Sequence, residues 1–152
     1  MDDLPTLRRL DDELPMRTRT SLPFDASDAD ILRAVEAWID ALADGDYAGA
    51  FDATEQDPYY GWTPERMREV VAGYGLAEPH PSGEVFRVTP RQSAPGQPSD
   101  RDVERISRKG AVMALVRHSL PLNGTWSDLT VTFRVQSRDE GSVLVLEEIH
   151  VS

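Results

Sequence analysis

Three residues near the end of the chain could do chemistry together. They are His118 in "LVRH", and Glu148 and His150 in the closing "LVLEEIHVS". A histidine takes up and releases protons near neutral pH, and a carboxylate beside it can orient the ring, which is the equipment of a general base. Such a pair would suit a lyase or isomerase that removes a proton beside a carbonyl. Two histidines and a glutamate are also a metal-ligand set. Against the metal, strands lie ~4.8 Å apart, so histidines two strands apart start from backbones ~9–10 Å apart. Neither strand offers an HxH or HxxxH pair, and no metal site is expected. The plainer reading, a hydrogen-bonded wall residue with a rim glutamate, takes precedence over catalysis. His118, His150 and Glu148 are therefore candidates and not an assigned catalytic set.

The elements that must position these residues begin after an arm. Residues 1–25 place Leu4, Leu7, Leu10 and Leu14 at helical spacing, and Pro15 and Pro23 bracket an extended or disordered stretch. A single domain over 26–152 follows. Ser27 with Asp30 is a variant of the capping box, and Ile31, Leu32, Val35, Trp38, Ile39 and Leu42 form one apolar stripe. Gly45 and Asp46 end that helix and cap a short second one burying Tyr47, Ala50 and Phe51. Thr63-Pro64 opens a third, with Met67, Val70, Val71 and Tyr74 inward and Gly75 as its stop.

From residue 84 the period changes to two, which predicts strands near 84–90, 102–108, 111–122, 125–137 and 142–151. The insertion "PRQSAPGQPSD" reads as a floppy excursion, with a lid as the alternative. Helices followed by a meandering sheet give an α+β plan.

Composition narrows the classes of function. The chain has 152 residues and no cysteine, which excludes disulfides and a thiol nucleophile. Its one lysine, Lys109, sits beside Gly110 in a turn and offers no buried Schiff-base amine. Residues 1–57 carry 15 Asp/Glu against 5 Arg, so most of the net charge of −11 lies there. With no basic stripe, nucleic acid is not an expected partner. The N-terminus lacks the basic-then-apolar order of a secretion signal and no apolar run is long enough to span a membrane, so a cytoplasmic protein is expected. No cofactor is expected.

Register decides where the candidates point. Asn123-Gly124 predicts a two-residue type I′ hairpin, which places His118 opposite Leu129, Val116 opposite Val131 and Ala114 opposite Phe133 on an apolar, buried face. Arg117 and Asp128 fall on the other face, within reach of an ion pair. The last hairpin is ambiguous. A loop over 138–141 turns Leu144, Leu146, Glu148 and His150 inward, whereas a loop over 139–141 with a glycine bulge turns Val143, Val145, Glu147, Ile149 and Val151 inward.

The run "AVEAWIDALADGDYAGAFDAT" and the ending "LVLEEIHVS" resemble, over roughly residues 28–152, the nuclear transport factor two-like superfamily, also called SnoaL-like or cystatin-like α+β folds. The resemblance lies in spacing and not in a signature motif. It implies three N-terminal helices packed on a strongly curved antiparallel sheet, forming a cone with an internal pocket, and it favours Leu144, Leu146, Glu148 and His150 as the inward set. The implied ligand-binding residues are Trp38, Tyr59, Tyr60, Trp62, His118, Leu129, Val131, Phe133, Leu146, Glu148 and His150. The tyrosines and Trp62 would close the pocket mouth and stack on a ligand, with the plainer alternative that they pack their loop onto the core. It also implies a homodimer through the outer sheet face, where Val143, Val145, Ile149 and Val151 would want covering.

The expected function is a non-catalytic domain that binds a small apolar ligand or a protein partner. A small lyase or isomerase using the His/Glu pair is the alternative. An acidic partner-neutralising, immunity-type protein is a second.

Overall fold

A computed structural model of the chain describes residues 21–106 and 111–152. The expected arm helix and the Lys109-Gly110 turn lie outside the described residues. The three expected helices form: α1 (Asp28–Ala43), α2 (Tyr47–Ala53) and α3 (Pro64–Ala72). Ser27 and Asp30 make the reciprocal capping box at α1, and Thr63 caps α3 ahead of Pro64. Gly73, and not Gly75, ends α3.

Five strands make one sheet: β1 (Glu55–Gln56), β2 (Arg101–Arg105), β3 (Val112–Leu122), β4 (Thr125–Arg138) and β5 (Gly141–Val151), in the order β1-β5-β4-β3-β2. The class is α+β, as expected, but the sheet is mixed. The short β1, which carries no strand pattern, runs parallel to β5 at one edge. The strand expected near 84–90 does not form. That stretch makes a single bridge, Val88 to Leu122, and Pro121 beside it has no N–H with which to extend a ladder.

The turn at Asn123-Gly124 has positive φ at both residues, 49° and 88°, as type I′ requires. Beyond it the ladder slips. Pro121 pairs with Trp126, but Ser119 pairs with Thr130, so three residues of β4 stand against Leu120 alone. The Ser127 hydroxyl replaces ladder bonds here, donating to the Leu120 carbonyl at 2.7 Å and accepting the Leu129 N–H at 3.1 Å. A slip of two keeps every side chain on its face. His118 stays inward, but opposite Val131 and not Leu129. The expected Arg117–Asp128 pair is not made. Arg117 now lies opposite Thr132 and reaches Asp100 instead, at 3.3 Å.

The last hairpin combines both registers. From Arg138–Gly141 to Phe133–Leu146 it follows the first, which turns Leu144 and Leu146 inward. A bulge at Glu147 then shifts it by one, so Thr132 pairs with Glu148, Val131 with Ile149 and Thr130 with His150. Ile149 goes inward, and Glu148 and His150 go outward. The bulge has dedicated partners: the Trp62 indole N–H donates to the Glu147 carbonyl at 2.9 Å, and the Glu148 N–H donates to the Thr132 hydroxyl at 3.1 Å.

The inward face of β3, β4 and β5 packs against Ile31, Val35, Trp38, Ile39 and Leu42 of α1 and Met67, Val70 and Val71 of α3. Trp38 meets Phe133 edge to face, with ring centroids 5.1 Å apart. Trp38, Leu129, Val131, Phe133 and Leu146 were expected to line a pocket; they are instead buried members of this packed core. On the outer face, Val143 and Val145 are already covered within one chain, at 7% and 1% exposure, and Ile149 points inward. Of the apolar strip expected to recruit a second copy, Val151 at the end of β5 is exposed, at 48%, so the strip is not presented as a whole.

Replacing Trp62→Phe keeps the ring but strips the Glu147 carbonyl of its donor. It should lower stability by about 1–2 kcal/mol, read as a shifted urea midpoint with unchanged slope. An unchanged midpoint would show that the bulge does not depend on the indole.

Candidate functional site

The candidates separate onto two faces. His118 is buried, 1% exposed, on the helix side. Glu148 and His150 are about half-exposed on the outer side, with His150 Nδ1 3.6 Å from Glu148 Oε1. The expected single pocket joining them is not assembled. Tyr59 and Tyr60 gather with Trp62 near the β5 bulge and not over His118: the Tyr60 hydroxyl donates to Glu148 at 3.1 Å, and Tyr59 stands 85% exposed. Burial and the neighbouring Glu148 carboxylate push the Tyr60 hydroxyl pKa up. Glu148 lines a depression of 400 Å³ on the outer face with Asp102, Glu104, Arg117 and Glu147, and His118 has no part in it.

His118 instead lies at the bottom of a polar cleft of 570 Å³ with Glu36, Arg91, Gln97, Arg101 and Trp126. The cleft follows from three local facts. Glu36 and Asp40 sit one turn apart on the flank of α1, beside its apolar stripe. Arg101 opens β2 and is the direct ladder partner of His118, so the two share a face. Arg91 opens a turn of 3₁₀ helix, Arg91–Ser93, inside the proline-rich insertion.

That insertion was expected to be floppy, but its two ends are tied. Arg91 forks onto the Asp40 carboxylate at 2.8 and 2.9 Å. At the other end the Ser119 N–H donates to the Asp100 carbonyl at 2.9 Å, and the Asp100 N–H donates to the Ser119 hydroxyl at 3.0 Å. The insertion forms one wall of the cleft.

Three groups meet on the Glu36 carboxylate. Arg101 Nε donates to Oε2 at 2.9 Å, His118 Nε2 lies 3.3 Å from the same oxygen, and an Arg91 nitrogen is 3.7 Å from Oε1. Burial works against the Glu36 charge. The hydrogen bonds from Arg101 and His118 and the charges of Arg101 and Arg91 outweigh it, and the carboxyl pKa is held below the ordinary glutamate value. The other His118 nitrogen, Nδ1, is 2.7 Å from the Ser119 carbonyl. A carbonyl only accepts, so Nδ1 carries a proton. Both ring nitrogens thus face protein oxygens, and neither presents a lone pair to a ligand.

The unengaged polar groups in the cleft are mainly donors. Among the described residues, the two terminal nitrogens of Arg101 have no protein partner. The Trp126 indole N–H is buried without one, its ring 6.0 Å from that of His118. Sequence reasoning missed Glu36, Arg91, Arg101 and Trp126. One signal for them exists: two acids a turn apart beside a buried stripe repel each other unless a cation is brought between them. Among the described residues, no group of three or more His, Asp and Glu is placed to hold a metal ion, and no helix is long and apolar enough to cross a membrane.

A carboxylate with a lowered folded-state pKa contributes stability that is whole above the unfolded value, 4.5 for glutamate, and is lost as pH falls through the folded value. Glu36→Gln should therefore lower the urea midpoint near neutral pH and flatten its decline below about pH 4.5. Asp30 and Asp57, whose pKa values are also lowered, keep their share in both chains. Identical acid limbs would contradict the role given to Glu36.

Set beside protein-family models, curated proteins and solved structures, the chain matches none, so what the cleft does has to be argued from its own side chains.

Proposed function

We propose that the chain is a cytoplasmic, non-catalytic domain that binds a small polar molecule in the cleft between α1, the 91–98 turn, the starts of β2 and β4 and the later half of β3. The observation that carries this reading is the convergence there of unengaged donors from separate elements around one fixed carboxylate. The volume of 570 Å³ is within the range of small-molecule sites. The same observation moves the ligand from apolar to polar, because the apolar face that was to receive it is filled by Trp38 and Phe133.

The non-catalytic reading rests on His118, whose nitrogens are both committed to protein oxygens. The lyase or isomerase alternative needs His118, Glu148 and His150 in one pocket, and they occupy two faces. The immunity-type alternative needs uncommitted acids in the first half. There, Asp28 pairs with Arg105, Glu36 with Arg101, Asp40 with Arg91, Glu55 with Arg138 and Asp57 with Arg134, which leaves the exposed Asp25, Asp44 and Asp52 as its acids among the described residues. A cone-fold plan of the SnoaL-like kind remains part of the proposal, supported by three helices preceding a sheet whose last three strands are long.

The three tryptophans report three places: Trp38 the core, Trp62 the β5 bulge and Trp126 the cleft. In a fragment screen read by thermal shift and by indole N–H NMR signals, polar fragments should raise the melting temperature and move the Trp126 signal. The Trp38 signal should stay in place, with no fragment consumed. Turnover of a hit, hits that move only Trp38, or an absence of hits would each count against the reading.

A further inference from the structure

The chemistry of the cleft's walls narrows its ligand further, on the premise that the cleft is a binding site. Its charged groups are Arg91 and Arg101 on one side, and Glu36 and the adjoining Asp40 on the other. Both acids are spent. Glu36 receives Arg101 and His118, and Asp40 is forked by Arg91 through Nε and a terminal nitrogen. Arg101, by contrast, gives Glu36 only its Nε. Among the described residues its two terminal nitrogens have no protein acceptor, and its side chain is about half-exposed at the cleft.

A guanidinium anchored through Nε and open at its two terminal nitrogens matches a planar carboxylate, which can take one N–H···O bond from each. The anchor matters because Glu36 fixes the fork before a ligand arrives, which reduces the ordering cost of binding. Gln92 and Gln97 line the same wall and can donate from their amides, and the Trp126 indole, whose N–H is buried without a partner among the described residues, lies beside them as a reporter.

The charge count limits the anion. Arg91 and the Nε of Arg101 are turned to Asp40 and Glu36, and both His118 nitrogens to Glu36 and the Ser119 carbonyl, so the cationic donors left open to a ligand are the two terminal nitrogens of Arg101. A dianionic phosphate would need more open cationic donors than that fork supplies, beside two carboxylates, whereas a single carboxylate is matched by the one fork. A cation would be repelled by the open guanidinium of Arg101.

We infer that the cleft takes a small monocarboxylate, its carboxylate held by the terminal nitrogens of Arg101 while Glu36 holds that arginine from behind. Arg101 would then determine specificity by distinguishing an acid from its neutral amide.

The test uses matched probes: acetate with acetamide, benzoate with benzamide, and inorganic phosphate, each titrated into ¹⁵N-labelled full-length protein. The expected result is that a carboxylate moves the Trp126 indole N–H and Arg101 Nε–H signals, with its amide binding at least about tenfold more weakly. Arg101→Gln should bring the acid down to the level of the amide. Arg101→Lys keeps the charge and serves if the first variant unfolds; it should lose most of the same preference because the fork is gone.

If acid and amide bind the cleft equally, the monocarboxylate inference fails while the binding reading stands. If phosphate binds more tightly than either carboxylate, the charge argument fails. If carboxylates leave both reporter signals unmoved while neutral fragments move Trp126, the inference alone is overturned; if nothing moves Trp126, both readings are.

Discussion

The Glu36 carboxylate is the contact on which the candidate site depends. It stands on α1 and receives Arg101 from β2, His118 from β3 and the nearby charge of Arg91 from the 91–93 turn. Burying a carboxylate is costly unless its lone pairs are answered, and here donors from separate elements answer them. The consequence is geometric more than energetic. A partly exposed arginine pair adds little to stability on its own, but several partners on one carboxylate fix where helix, loop and sheet edge stand relative to one another. The cleft is the space that this arrangement leaves.

The uneven charge of the chain is answered by the same kind of contact. Five of the nine acids of residues 28–57 are met by arginines of the second half: Arg91, Arg101, Arg105, Arg134 and Arg138. Part of the acidity of the first half is thus matched in space by arginines of the second half, three of them on α1 acids and two on acids at and just after β1. Arg134, on the central strand β4, reaches across β5 to bridge Asp57 at 2.7 Å and the bulged Glu147 at 3.2 Å. That bridge sits beside the Trp62–Glu147 hydrogen bond, so the bulge that turns Glu148 and His150 outward is held by polar contacts that a hydrophobic pattern does not record.

Much of the fold was legible in the chain. The apolar stripe of α1, the Ser27 and Thr63 caps and the Asn123-Gly124 turn specify their elements locally, and the structure contains each of them. Less of the site was legible, for a physical reason. Side-chain direction in a strand has a period of two, so one extra residue reverses everything after it. Val143 to Val151 is apolar on both faces with a glutamate on each, so no pattern in it marks position 147 as the bulge. The bulge is stabilised by Trp62 and Thr132, residues distant in sequence. His118 was placed on the correct face because the slip near Leu120 is even-numbered. Its partners were missed because an arginine in a proline-rich insertion carries no periodicity.

The central claim is that Glu36, Arg101 and His118 behave as one unit and that His150 stands outside it. Long-range ¹⁵N–¹H NMR of the histidine rings, with the arginine Nε–H region, tests this most directly in the unmodified chain and in Glu36→Gln. The account predicts a proton resident on His118 Nδ1, bonded to the Ser119 carbonyl, in both. It also predicts that the substitution moves His118 Nε2 and Arg101 Nε together while the His150 ring is unchanged. A bare Nδ1, or Arg101 and His118 responding independently, would contradict it.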